Sequence, residues 1–211
     1  MQNFGALPSI SFILNIEHVD GTTEIHHSEK GMKALISEYK YAGEYDGEFI
    51  DYSNENIDQE LGELSSFDFP DNVSLEKTLV EVKLQEEIKI ANVYAHDDYT
   101  IIDFGQNFAG IISINSALLN EGEEIVIRHG EILNNDGSLY TTNLRKAKAT
   151  LSYKKGKLNH IYTPRFTYMG FRYIEVRGVK YVDGLLKAHA IYTAMNRTGY
   201  FTCSNPLIDR L

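Results

Sequence analysis

The sequence predicts an all-β chain: an antiparallel, jelly-roll-like β-sandwich, preceded by part of another β-domain and ending at the start of a helical domain. Three observations carry this. Turn signals are dense and of one kind, at Asp20-Gly21, Asp46-Gly47, Asp136-Gly137 and Asp183-Gly184, with a weaker one at Lys155-Gly156. Asp-Gly supplies the positive φ angles that two-residue hairpins need. Between these turns run short segments of β-branched and aromatic residues, while helical periodicity is scarce. The 14 Tyr and 10 Phe suit a sandwich interior, where aromatic side chains span the gap between sheets.

In chain order, Ser9–His18 and Thr22–His27 read as strands on either side of Asp20-Gly21. Residues 52–74 shift to Asn, Asp, Glu and Ser and close on Pro70-Asp71-Asn72, the composition of a short polar helix or loop leading into a linker. This sets the expected units at 1–72 and 73–202. The strands before that boundary are few for a sandwich with two covered faces, so 1–72 is expected to be the C-terminal half of a β-domain plus its linker. The second unit supplies Thr78–Lys83, Glu87–Tyr94, Tyr99–Phe104, Gly110–Asn115, Glu124–Arg128, Thr150–Tyr153, Arg172–Arg177 and Leu186–Tyr192. Ile125 with Ile127, and Tyr173, Ile174 and Val176, mark one buried face. Residues 203–211 differ from all of this. A capping residue, Pro206 at the first helical position and apolar residues at helical spacing start a helix. So short a helix is marginal in water, and the natural chain is expected to continue beyond it.

Composition excludes several functions. Lys+Arg 20 against Asp+Glu 30 gives a net charge of −10, a field that repels phosphate backbones and anionic lipid heads. Neither nucleic acid nor a membrane is an expected partner. No apolar run reaches membrane-spanning length and Met1-Gln2-Asn3-Phe4 lacks the basic start of a leader, which favours the cytoplasm if Met1 is the natural start. Cys203 is a single cysteine and forms no internal disulfide.

The search for chemistry begins with carboxylates, since a glycosidase needs two facing acids. Glu44, Asp46, Glu48 and Asp51 form one acidic stretch, Glu121, Glu123 and Glu124 another, and Glu131 and Asp136 flank a turn. Solvated acids on turns and edges are the favoured reading of each. On a strand, His26 and His27 point to opposite faces and share no metal. Asn134-Asn135-Asp136-Gly137 puts Ile132 where a calcium loop begins and reads as a turn. No nucleophile elbow or phosphate loop is present, and the sequons at Asn72 and Asn196 decide nothing. Asp103–Gly110 and Tyr168–Tyr173 read differently, as a strand end with close backbone approach and a strand leaving a bulge. Arg165 and Arg172 are candidate partners there for Asp103 or Glu175, and a structural role is the default.

These segments also carry a resemblance. Asp103-Phe104-Gly105-Gln106-Asn107-Phe108-Ala109-Gly110, Arg128-His129-Gly130-Glu131-Ile132-Leu133, Asp136-Gly137-Ser138-Leu139-Tyr140, Asn143-Leu144-Arg145-Lys146-Ala147-Lys148-Ala149-Thr150 and Pro164–Tyr173 resemble the bacterial α-L-rhamnosidases of glycoside hydrolase family 78. Asp20–Thr23 with Gly43–Asp46 is similar to the later half of that family's preceding β-domain, and Arg197–Leu207 to the passage opening its catalytic domain. The resemblance implies an inverting enzyme that removes terminal L-rhamnose from glycosides, with its acid and base on an α/α barrel. That barrel would begin near Ser204, with its carboxylates beyond Leu211. No residue here is then catalytic, no cofactor is expected, and the chain by itself is inactive. Some relatives carry a calcium-dependent rhamnose-binding module, so calcium enters only if such a site survives here. The sequence has no Trp, whereas the family places tryptophan near the positions of Phe69 and Ile111. The implied role is to scaffold the chain's own barrel, with rhamnosyl glycosides reached through the whole enzyme. Asn143, Arg145, Arg165 and Arg172 are the candidate docking or rim residues, and an autonomous L-rhamnose-binding module is the alternative.

Overall fold

The structure, a computed structural model, describes residues 10–28, 31–66 and 81–209. The expected linker at Pro70-Asp71-Asn72, the boundary after residue 72 and the sequon at Asn72 lie outside the described residues. Strands β1 (Ile13–Glu17) and β2 (Thr23–His27) form the hairpin predicted at Asp20-Gly21. Four further strands follow: β3 (Lys33–Leu35), β4 (Tyr39–Gly43), β5 (Gly47–Asp51) and β6 (Glu60–Glu63). β3 pairs with β6 as a second small antiparallel ribbon.

The remaining strands are β7 (Val82–Ile88), β8 (Asn92–Ala95), β9 (Thr100–Asn115), β10 (Glu124–Gly130), β11 (Thr150–Lys154), β12 (Ile161–Tyr162), β13 (Met169–Arg177) and β14 (Leu186–Thr193). With β4 and β5 they make one large sheet in the order β4-β5-β11-β10-β13-β9-β14-β7, and β8 and β12 also pair with β9. Every pairing is antiparallel except β5 with β11, where Gly47 to Asp51 run alongside Thr150 to Lys154. Parallel neighbours cannot be joined by a hairpin, and here the partner arrives from a hundred residues earlier in the chain. Backbone of the first expected unit is therefore hydrogen-bonded into the sheet of the second.

Gly47 shows how tight that junction is. Its φ is +106°, and a Cβ there would stand 1.8 Å from the Thr150 carbonyl oxygen. Gly47→Ala is expected to destabilise the chain by more than about 1 kcal/mol, with thermal unfolding as the measurement, because it imposes both strain and a clash.

The crease of the sheet lies in β9. The sequence suggests two strands over this stretch; the structure has one of 16 residues, bent where Gly105 takes φ +74°. Opposite the bend, the register of β13 shifts between Phe171 and Tyr173, the bulge expected from Tyr168–Tyr173. Asp103 pins both strands. Its carboxylate accepts from Arg172 Nε at 2.8 Å and Nη2 at 3.0 Å, and from the Gly105 N–H at 2.7 Å. The Arg172 bonds hold its carboxyl below the usual carboxylate range. Glu175, the other candidate partner, is taken by Arg177 Nε at 2.7 Å and Arg128 Nη1 at 3.3 Å.

One core cluster draws on strands across the whole sheet, from Ile50 on β5 to Ala190 on β14. Ile125, Ile127, Ile174 and Val176 are fully buried as expected, whereas Tyr173, expected with them, alternates to the other side of β13 and is half-buried. Phe171 is their aromatic centre, with ring centroids 4.5 Å from Phe108, 5.6 Å from Phe104 and 4.8 Å from His129. The His129 Nδ1 lies 2.8 Å from the Ala149 carbonyl. Burial lowers its pKa to about 4, only partly opposed by that carbonyl. The unfolded chain then binds a proton between about pH 6.5 and 4 that the folded chain refuses, so stability is complete above 6.5 and falls as pH drops toward 4. The expected loss is on the order of 3 kcal/mol and should shrink in His129→Gln, as read by urea unfolding at several pH values.

After β14 the chain reaches the single turn α1 (Pro206–Asp209), capped where Asn205 Oδ1 accepts from the Leu207 N–H at 3.1 Å. Leu207 and Ile208 are exposed on it.

Candidate functional site

The outer face of the large sheet is built by alternation. Along β9, Phe108, Ile112 and Ile114 point into the core, which leaves Asn107, Ala109, Ile111 and Ser113 on the other side. Antiparallel partners share a face, so Gly170 stands beside Ala109, and Leu84 beside Ile191. Tyr168, next to buried Met169, is half exposed on the same side.

The loop Thr163 to Tyr168 lies over this face and is held by one buried acid. Glu48, from β5, is 2% exposed. It accepts from the Arg165 N–H at 3.0 Å, from the Phe166 N–H and from the Tyr162 hydroxyl. Burial, with the Glu48 carboxylate beside it, pushes the Tyr162 phenol far up. Thr167 Oγ1 donates to the Glu44 carbonyl at 3.2 Å, and the Tyr39 ring meets Phe166 edge-on at 5.2 Å. Three residues from β4, β5 and the turn between them thus fix a loop more than a hundred positions later. Between that loop and the sheet edge opens a groove of about 490 Å³, lined by Val82, Leu84, Ile191, Phe166 and Tyr168, with Arg165 and Glu44 at its polar points.

At the far end of the same face Glu131 makes a polar cluster. Its Oε1 accepts from Asn107 Nδ2 at 3.0 Å and its Oε2 from Asn143 Nδ2 at 3.3 Å. A Cβ on Gly170 would find only Glu131 Oε1, at 4.0 Å, so the floor between Tyr168 and this cluster is open.

The four candidate contact residues go to separate places. Arg172 closes the crease, Asn143 joins Glu131 and Arg165 borders the groove. Arg145 is exposed at φ +57°, and its guanidinium makes no hydrogen bond or ion pair among the described residues. No bond links any two of the four. The acidic stretches are dispersed into local bonds. Asp46 accepts from the Tyr41 hydroxyl at 3.1 Å, Asp51 from Ser53 Oγ at 2.6 Å and Glu123 from the Asn120 N–H at 2.7 Å. Glu124 takes Ser152 Oγ and Asp136 takes Ser138 Oγ, each at 2.6 Å. Glu48 is the exception to the reading of these acids as solvated, because the register of β5 turns it inward. Among the described residues no group of three or more His, Cys, Asp or Glu stands together to hold a metal. Sequence reasoning passed over Asn107, Glu131 and Tyr168 as contact residues. The sequence shows Ala109 and Gly170 only as separate small residues; their pairing on an outward face belongs to the register of the folded sheet.

The family description "bacterial alpha-L-rhamnosidase concanavalin-like domain" matches residues 94–193. Among curated proteins, an α-L-rhamnosidase of Streptomyces avermitilis is 29% identical over 99% of this chain and 21% of its own length. One from Alteromonas sp. is 28% identical over 94% of this chain and 23% of its own length. Among solved structures, the Streptomyces avermitilis α-L-rhamnosidase in complex with L-rhamnose superposes with a TM-score of 0.77 at 27% identity, covering 94% of this chain and 20% of that one. The native α-L-rhamnosidase from Aspergillus terreus superposes with a TM-score of 0.75 at 32% identity, covering 94% and 24%. The chain therefore spans about a fifth to a quarter of the relatives it matches. Over residues 94–193 the chain is thus similar to the concanavalin-like domain of the bacterial α-L-rhamnosidases.

Proposed function

We propose that this chain is a non-catalytic β-sandwich region of an α-L-rhamnosidase, an enzyme hydrolysing terminal L-rhamnose from glycosides, and that it supports a catalytic domain carried by other residues. One observation supports this above the rest. Nearly the whole chain aligns with rhamnosidases, yet it covers only about a fifth to a quarter of their length. The disposition of its acids agrees. The buried ones, Glu48, Asp103 and Glu175, are each held by two or more donors in structural positions, whereas a catalytic pair must face a substrate. In this reading 203–211 opens the catalytic domain and Arg145 leads the docking contacts, since its guanidinium has no partner within the described chain. Rhamnosyl glycosides reach the protein through that larger enzyme.

The test is a fusion of this chain to the part of the Streptomyces avermitilis enzyme that follows the matching region, assayed on p-nitrophenyl α-L-rhamnoside. The fusion is expected to hydrolyse it faster than that catalytic part alone. A folded fusion no more active than the unfused part would overturn the supporting role.

A further inference from the structure

We propose that the outer face of the sheet, from the Phe166–Tyr168 groove to the Asn107–Glu131–Asn143 cluster, is a binding strip for a neutral glycoside with an apolar aglycone. The two ends of the strip differ in chemistry. At one end a groove of about 490 Å³ presents Val82, Leu84, Ile191 and the exposed ring of Phe166, a volume and lining suited to a ring-sized apolar group. At the other end a carboxylate and two carboxamides are held in one fixed arrangement by their bonds at 3.0 and 3.3 Å. Such groups donate to and accept from sugar hydroxyls. Tyr168, half exposed, closes the groove end next to Gly170, offering a ring face for stacking and a phenol.

The floor fits the same ligand. Gly170 and Ala109 are direct partners, and nothing lies within 4 Å of a Cβ on Gly170 except Glu131 Oε1. A pyranose can therefore lie flat on backbone between Tyr168 and the cluster. Tyr168 ends the loop immediately before β13, and two residues of extended chain span about 7 Å, the width of one such ring. Preorganisation comes from Glu48, whose carboxylate holds the backbone of Arg165 and Phe166 and so fixes the groove wall before any ligand arrives. Charge selects against anions at the polar end, where Glu131 stands in a protein carrying −10 overall, while at the groove Arg165 offsets Glu44. Uronates and sugar phosphates are disfavoured, and neutral glycosides remain.

Rhamnose as the sugar rests on the function proposed above; the strip itself does not. The experiment is an amide-resolved NMR titration of the intact chain with p-nitrophenyl α-L-rhamnoside, methyl α-L-rhamnoside, p-nitrophenyl β-D-glucoside and p-nitrophenol. Shifts are expected at Asn107, Ala109, Glu131, Asn143, Tyr168 and Gly170. The p-nitrophenyl rhamnoside should bind about 3–10-fold more tightly than the methyl rhamnoside, the worth of one added aromatic contact. Gly170→Val, which fills the floor in a strand that tolerates a side chain, and Tyr168→Ala should each weaken binding about tenfold, equivalent to loss of the stacked ring. A glucoside that binds as well as the rhamnoside would keep the strip and contradict the rhamnose reading. The strip is overturned by any of three results: no saturable shift up to about 50 mM, identical shifts with p-nitrophenol alone, or affinity unchanged in both variants.

Discussion

Phe171→Ala should lower the folding stability by about 3–5 kcal/mol. Phe171 is fully buried and follows Met169 on the inner side of β13. Its ring meets those of Phe104 and Phe108 from β9, the neighbour on one side, and of His129 from β10, the neighbour on the other. Removing it opens a cavity whose walls are set by three strands of one sheet and cannot collapse independently. Phe171→Leu, which keeps most of the volume, should cost less than half as much. The measurement is urea unfolding of the three proteins, and equal midpoints for wild type and Phe171→Ala would show that the sheet does not close on this ring.

Glu48→Ala should cost about 2–4 kcal/mol and release the loop from Thr163 to Tyr168. Three donors lose their acceptor at once: the Arg165 and Phe166 N–H groups and the buried Tyr162 hydroxyl. The two backbone groups can regain water when the loop lifts, and the phenol cannot, so the larger part of the loss falls on Tyr162. Glu48→Gln retains one acceptor oxygen and should lose roughly half as much. Amide exchange separates the outcomes. Faster exchange at Arg165 and Phe166 with β10 and β13 unchanged is the expected pattern, whereas a uniform loss would place Glu48 in the global core instead.

These effects were legible in the sequence to different depths. The four Asp-Gly turns were clear because the requirement is local, and Gly21, Gly47, Gly137 and Gly184 all take positive φ. The crease was half legible: Asp103–Gly110 and Tyr168–Tyr173 showed a bend and a bulge, and Arg172 was a named partner for Asp103. What stayed hidden was continuity, since Gly105 and Gln106 look like a break although β9 runs through them. The turn at Asp46-Gly47 was read, but the strands it joins, β4 and β5, were not placed. They are short, lie in an acidic stretch, and exist because β5 pairs with β11 across a hundred residues, which no local pattern records. The same pairing explains Glu48, which reads as one more solvated acid until the register of β5 turns it under the loop. Arg145 and Asn143 were named from a resemblance, and only the folded chain separates them, one bonded to Glu131 and the other without a partner among the described residues.

On the proposed reading, this chain supports a rhamnosidase without carrying its chemistry. Release of p-nitrophenol from p-nitrophenyl α-L-rhamnoside by the purified chain, followed over hours at high protein concentration, tests it most directly. The account predicts no release above buffer. Steady turnover that scales with protein and disappears in a carboxylate variant such as Glu131→Gln would place the catalytic groups within these 211 residues and contradict it.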